Sequence, residues 1–301
     1  MTPKSHHYNP KVYLRQFRSP ASKNELWEYD LRIGTSRQST PKLSGCEDFY
    51  HSFTRADGTR DDETIENSFH ALENDLPKLF EEIRSGRRLS DKCFATFVTF
   101  AALQRARSPV ALHSIQEGMS KVYQMSFEIM QTTPDFEKSM VEKGQDPEAI
   151  RKLNLQVKAE RDSILLTMLS VFQDGELPRL LSEMEWTFLQ APPSSYFFTS
   201  DNPVCCWPPP GAKGIYRHVG PSSPDVEITF PLSRRVCALG IWKPRFPNEF
   251  FQINQRQVEA INYRTIVSGW HFLYGPSNDN NILQAVKDLA AKRNGSPDEE
   301  L

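Results

Sequence analysis

The apolar period of this chain changes twice, and that order constrains its fold more than any single residue does. Before about residue 60 the apolar runs are short. Trp27, Tyr29 and Leu31 alternate with polar positions, as in a half-buried strand. Gly34-Thr35 supplies a turn, and Arg37 to Leu43 is expected to return as the partner strand. From Asp61 the period is helical, with Ile65, Phe69, Leu72, Leu76, Leu79 and Ile83 on one stripe. Pro77 lies within that stripe and is expected to kink or divide the helix. Ser90-Asp91 caps the next helix, whose apolar face carries Phe94, Phe97, Val98 and Ala101. Pro109 marks its break, and a longer helical tract runs to about Gln131. Thr132-Thr133-Pro134 and the polar stretch to Asp146 read as a mobile connector, and Pro147 to Gln173 as one further helix.

From Trp186 the texture returns to strands. Tyr196 to Thr199, Val226 to Leu232, Arg235 to Trp242 and Trp270 to Tyr274 read as strands. Gln255 to Ser268 and Asn280 to Lys292 read as helices, Pro208 to Gly211 as a loop, and the polar tail at 295–301 as disordered. At the other end, Asn9 is expected to cap a short helix with Pro10 as its first residue and Tyr13, Leu14 and Phe17 on one face. Segregated runs of this kind imply an α+β fold. An N-terminal hairpin and C-terminal strands should flank and meet around a helical middle at about 61–183, in a single domain spanning 1–294. No internal repeat is visible.

Composition narrows the function classes. With 301 residues, 38% of them hydrophobic and 25% charged, the chain can bury a sizeable core without staples. A net charge of −2 gives no global attraction to nucleic acid or anionic membrane. Five scattered cysteines with no C-x-x-C spacing read as reduced thiols, which places the expected compartment in the cytoplasm. No signal peptide is recognisable, and no run of about eighteen apolar residues offers a membrane span. There is neither a P-loop nor a G-x-G-x-x-G motif.

Several residues could carry chemistry. At about 100° per residue, Arg105 falls on the Phe94, Phe97, Val98 and Ala101 face, so its guanidinium needs a carboxylate or an anionic ligand. Glu66 and Glu73 sit beside the apolar stripe of their helix, where either could reach Arg105. His7, among aromatic residues at a helix start, could move a proton, and His6 reads as its exposed neighbour. Asp201, in Ser200-Asp201-Asn202-Pro203, either closes a turn or points from a strand end into a cleft. Glu47-Asp48-Phe49-Tyr50 sets acids beside aromatics, as at a strand edge or a site. No H-x-H, H-E-x-x-H or Glu-x-x-His spacing indicates a metal site.

A set of ordered motifs resembles the bacterial and fungal family called domain of unknown function 4238, over about residues 6 to 275. The motifs are His7-Tyr8-x-Pro10-x-x-Tyr13-Leu14-x-x-Phe17, Leu26-Trp27-x-Tyr29-Asp30, Glu47-Asp48-Phe49-Tyr50, Ile65-Glu66, Leu72-Glu73 and Gln104-Arg105-x-Arg107-x-Pro109. Phe198-Thr199-Ser200-Asp201-Asn202-Pro203-Val204 and Phe230-Pro231-Leu232-Ser233 complete the series. Arg107 fits the pattern less well than Arg105. The resemblance supplies positions and no activity, and cofactors stay unassigned.

Two readings follow. In the first, an enzyme acts on an anionic, phosphodiester-like substrate. His7, Arg105 and Asp201 are its catalytic residues, and Glu47, Tyr50, Glu73, Gln104 and Asn202 bind the substrate, a small anionic ligand or nucleic acid. In the second, the chain is a noncatalytic ligand- or partner-binding module, such as a sensor in defence or stress response.

Overall fold

The N-terminal segment of the computed structural model, which describes residues 5–22, 24–153, 155–208, 219–242 and 248–295, is a chain of short strands. β1 (Ser5–His7) leads into α1 (Lys11–Leu14), which tightens into a 3-10 turn at Arg15–Phe17. β2 (Leu26–Asp30) and β3 (Thr35–Ser39) form the expected hairpin, with Gly34 turning at φ 71° where a side chain would be strained. β4 (Cys46–Asp48), β5 (Phe53–Thr54) and β6 (Arg60–Asp61) follow. The middle is helical: α2 (Thr64–Ser85), α3 (Asp91–Ala106), α4 (Pro109–Gln131), α5 (Pro134–Glu142), α6 (Pro147–Lys152), α7 (Arg161–Gln173) and α8 (Glu176–Ser182). The last third holds β7 (Glu185–Gln190), β8 (Thr199–Ser200), β9 (Cys205–Trp207), β10 (Glu227–Pro231), β11 (Val236–Ile241), β12 (Glu249–Gln252), α9 (Gln255–Ser268), β13 (Phe272–Gly275) and α10 (Asn280–Gly295).

This is the α+β arrangement the segregated pattern implies. The two strand groups meet directly, because β13 pairs antiparallel with β2 in a sheet of order β3-β2-β13-β8. Gly275 lies opposite Trp27 in that ladder, and a Cβ there would stand 2.1 Å from the Phe198 ring, so only glycine fits. A second sheet, of order β12-β7-β11-β10-β9, packs on α3. Phe97 of α3 meets Trp186 and Phe188 of β7 and Phe230 of β10, with ring centroids 4.9, 5.4 and 6.4 Å away. Tyr13 and Phe17, both fully buried, plug the same core. A smaller cluster of Tyr8, Tyr50, Ile65, Phe69, Leu103 and Met168 underlies the polar site described below.

Local expectations fail where tertiary contacts claim the residue. Asn9 does not cap α1: Pro10 holds that position, and the buried Asn9 amide bridges distant segments instead. Pro77 does not divide α2, which continues as one helix from Thr64 to Ser85 with the exposed proline ring on its outer side. The connector after Gln131 contains α5, started by Thr133, whose Oγ accepts the Phe136 N–H, and by Pro134 in its first turn. The helix expected from Pro147 to Gln173 is interrupted between α6 and α7. Side chains of α4 take up backbone donors there, Gln124 Oε1 accepting from Val157 N–H at 2.9 Å and Ser120 Oγ from Ala159 N–H at 2.9 Å. Tyr196 to Phe198 lie outside any strand, and only Thr199 of that run pairs. Most of the expected loop at 208–211 and the tail beyond Gly295 lie outside the described residues.

Candidate functional site

Three histidines and two glutamates are drawn toward one end of α2. β1 pairs antiparallel with β4, setting His6 opposite Glu47 and His7 opposite Cys46. Strand alternation then sends His6 inward, and its exposure is only 1%. The expectation of an exposed His6 is therefore corrected. After β4, Phe49 adopts φ 58° and turns the chain so that Tyr50 and His51 follow it into the interior. The His51 backbone N–H donates to His6 Nδ1 at 3.1 Å, which ties β1 to this turn. The two imidazoles lie near-parallel, at 14°, with centroids 6.0 Å apart.

Glu66 enters from the first turn of α2. Asp61 fixes that turn by accepting the Glu63 and Thr64 backbone N–H groups and the Thr64 hydroxyl, and Arg55 pairs with it. Burial opposes ionisation of Asp61, but these donors outweigh it and hold the carboxyl well below the usual range. Glu66 Oε1 hydrogen-bonds His51 Nδ1. Burial lowers the His51 value below that of a free imidazole although Glu66 pulls it upward, so His51 is neutral at pH 7. Burial works against Glu66 too, yet its hydrogen bond with His51 and the nearby Arg107 charge hold its value below that of a free carboxyl. One ligand-type atom from each of His6, His51 and Glu66 lies within 4.8 Å of the other two. His6 Nε2 and His51 Nε2 are buried and have no partner among the described residues, as is His7 Nδ1. The Tyr50 and Phe69 rings wall His51 edge-on, while the Glu66 side chain keeps 28% of its exposure and forms the open side.

A second polar chain runs alongside. Arg107 is fully buried, with Nε donating to Gln104 Oε1 at 2.7 Å and Nη1 to Glu73 Oε1 at 3.1 Å. Gln104 Nε2 donates to Asn9 Oδ1 at 2.8 Å, and Asn9 Nδ2 donates to the Ser200 carbonyl at 2.8 Å. The relay joins α2, α3, the N-terminal segment and β8, and the guanidinium stands 5.4 Å from the Phe69 ring centroid. His7 is half-buried beside it. Burial foremost, with Lys11, pushes its value down to about 4 against the pull of Glu66.

The residues singled out from sequence divide in two. His7, Tyr50, Glu73 and Gln104 gather around Arg107 and the His51–Glu66 pair; the Tyr50 hydroxyl reaches the Arg107 carbonyl at 3.4 Å. Arg105, Asp201, Asn202 and Glu47 do not join them. Arg105 is half-buried and, among the described residues, donates only to the Val204 carbonyl, at 3.5 Å, and neither Glu66 nor Glu73 reaches it. The guanidinium sunk in the interior is that of Arg107, because α3 ends at Ala106 and the chain turns inward there. Asp201 is buried and spent on backbone, accepting from the N–H groups of Trp270 at 2.7 Å, His271 at 2.6 Å and Phe272 at 3.0 Å. Asn202 donates to the Ser268 carbonyl on the same turn, and Glu47 is exposed. Sequence reasoning set His6 aside as exposed and passed over His51 and the His51–Glu66 contact. The signal available was histidines set close to tyrosines, in His6-His7-Tyr8 and Tyr50-His51.

Fold and site together define an α+β protein with a buried histidine–carboxylate centre beside an arginine relay. Residues 5–278 match the family described as Protein of unknown function (DUF4238), and the chain belongs to that family, as its ordered motifs suggested. Comparison with curated proteins and with solved structures found no match. Among the described residues no helix is long and apolar enough to cross a membrane, and all five cysteines are free thiols.

Proposed function

We propose that the chain is a metal-dependent enzyme acting on an anionic, phosphodiester-like substrate, with His6, His51 and Glu66 holding a divalent ion. The observation that carries this reading is the clustering of one ligand-type atom from each of the three residues within 4.8 Å; His51, whose Nδ1 is bonded to Glu66, also has a buried Nε2 with no partner among the described residues. Two imidazoles and one carboxylate suit Zn²⁺, Mn²⁺ or Fe²⁺. The local charge balance supports a cation as well. Glu73 is paired directly with Arg107, whereas Glu66 feels Arg107 only from a distance and is hydrogen-bonded, among the described residues, by His51, which burial holds neutral like His7. A divalent ion with one carboxylate keeps a surplus positive charge, which would polarise a phosphoryl oxygen. His7, neutral at pH 7 and with a buried Nδ1 that has no partner among the described residues, is the proton carrier in this reading. Arg105 and Asp201 take no catalytic part in it.

The noncatalytic module is favoured by a different observation. His6 and His51 are each 1% exposed, so an ion there is nearly sealed and access is confined to the Glu66 side. Hydrolysis of bis(p-nitrophenyl) phosphate with added Zn²⁺ or Mn²⁺ decides between them. Metal-stimulated turnover that disappears in His51→Ala supports the enzyme. Stoichiometric metal binding without turnover of this or a dinucleotide substrate supports the module.

A further inference from the structure

Far from the histidines, a cavity of about 490 Å³ opens where the 3-10 turn after α1, the C-terminal end of α2, the end of β7 and the β10–β11 connection converge. Five arginines line it, Arg15, Arg18, Arg84, Arg234 and Arg235, and no acidic residue does among the described residues. We propose that this cavity binds a phosphorylated small molecule carrying at least two phosphate-type charges.

Charge accounting motivates the assignment. The whole chain carries a net charge of −2, and seven arginines elsewhere are paired with a described carboxylate. Arg15, Arg84, Arg234 and Arg235 make no ion pair with any described residue. The protein orients several of these guanidinium groups without neutralising them. Arg235 Nη1 donates to the Pro192 and Ser195 carbonyls at 2.7 and 2.8 Å, Arg84 Nε to the Phe80 carbonyl at 3.0 Å, and Arg234 Nη1 to the Arg18 carbonyl at 2.9 Å. Carbonyl acceptors fix the planar fork and leave its charge for a ligand. Arg234 Nε is buried with no acceptor among the described residues, a donor awaiting an oxygen. Like-charge crowding is felt within the cluster: partial burial, then Arg15 and Arg234, lower the Arg18 value.

The remaining lining matches a small organic phosphate better than a bare ion. Gln190 and Ser233 offer neutral hydrogen bonds, and Ile83 and Val236 supply an apolar floor. The volume falls within the roughly 300–1,000 Å³ of small-molecule sites. Glu66 and Arg84 lie eighteen residues apart on α2, so the cavity is about 27 Å along the helix from the histidine centre. The proposal therefore stands independently of the metal-enzyme reading.

Isothermal titration with inorganic tripolyphosphate at near-physiological salt tests it. The expected result is saturable one-to-one binding by the full chain, weakened about tenfold or more in both Arg84→Gln and Arg234→Gln and unchanged in Arg151→Gln, an arginine paired elsewhere. Because Arg84 is exposed, its substitution leaves the fold intact even if Arg234→Gln perturbs its surroundings. Absence of saturable binding overturns the proposal. So does equal weakening in all three variants, which marks diffuse attraction, or binding restricted to a long single-stranded RNA.

Discussion

Replacing Glu73 by glutamine removes one charge from the Arg107 relay while keeping an oxygen that can accept the hydrogen bond. The two charged groups are 3.1 Å apart, and the Arg107 side chain is 1% exposed. With an effective dielectric constant of about 20, Coulomb attraction at that separation is roughly 5 kcal/mol. The Glu73 side chain, however, keeps 30% of its exposure, and solvent screens the pair from that side. About half the attraction, near 2–3 kcal/mol, should survive as the cost of leaving Arg107 buried without a counter-charge. Urea unfolding of Glu73→Gln at pH 7, followed by far-UV circular dichroism, should show a stability loss of that size with an unchanged m-value. Combining the change with Arg107→Met should recover part of the loss, since the methionine has no charge to strand. A Glu73→Gln variant within about 0.5 kcal/mol of wild type, or strictly additive effects in the double variant, would refute the idea that the buried pair organises this region.

Three further outcomes follow from other contacts. Asp201 is raised to about 6 by burial, against the pull of its three backbone donors, so protonation favours the folded state and its contribution is complete below about pH 4 and lost as pH rises through about 6. The stability of Asp201→Ala relative to wild type should therefore be lower by several kcal/mol at pH 4.5, and the deficit should shrink by up to about 3 kcal/mol at pH 7.5, as urea titrations at the two pH values would reveal. Gly275→Ala should cost about 1–3 kcal/mol, visible as a lower thermal midpoint, because its methyl would collide with the Phe198 ring. Arg105→Ala should stay within about 1 kcal/mol of wild type in the same assay, since its guanidinium donates only one long bond among the described residues.

The fold was largely legible because its signals were local. The alternation at Trp27 and Tyr29, the stripe from Ile65 to Ile83 and the Ser90 cap, whose Oγ accepts the Cys93 N–H, each require only neighbours in sequence. β7 was missed although Trp186 and Phe188 alternate inward, and so were the short strands β9 and β12. The site was much less legible. Helical periodicity pointed to Arg105 because the count assumed a one-sided helix, whereas α3 is buried around most of its circumference and ends before Arg107. His6 and His51 meet across forty-five residues through a strand pair and a left-handed turn at Phe49, and neither leaves a spacing motif. Asp201 carried the chemistry of a site residue and the structural duty of a turn, and only its three partners distinguish the two.

The proposed metal centre of His6, His51 and Glu66 is tested most directly with cobalt. Titrating the metal-free protein with Co²⁺ should yield visible ligand-field bands that saturate at about one equivalent, and these should vanish in His51→Ala and in Glu66→Gln variants that retain the wild-type circular dichroism. A spectrum indistinguishable from that of aqueous Co²⁺, or bands that persist in both variants, would contradict it.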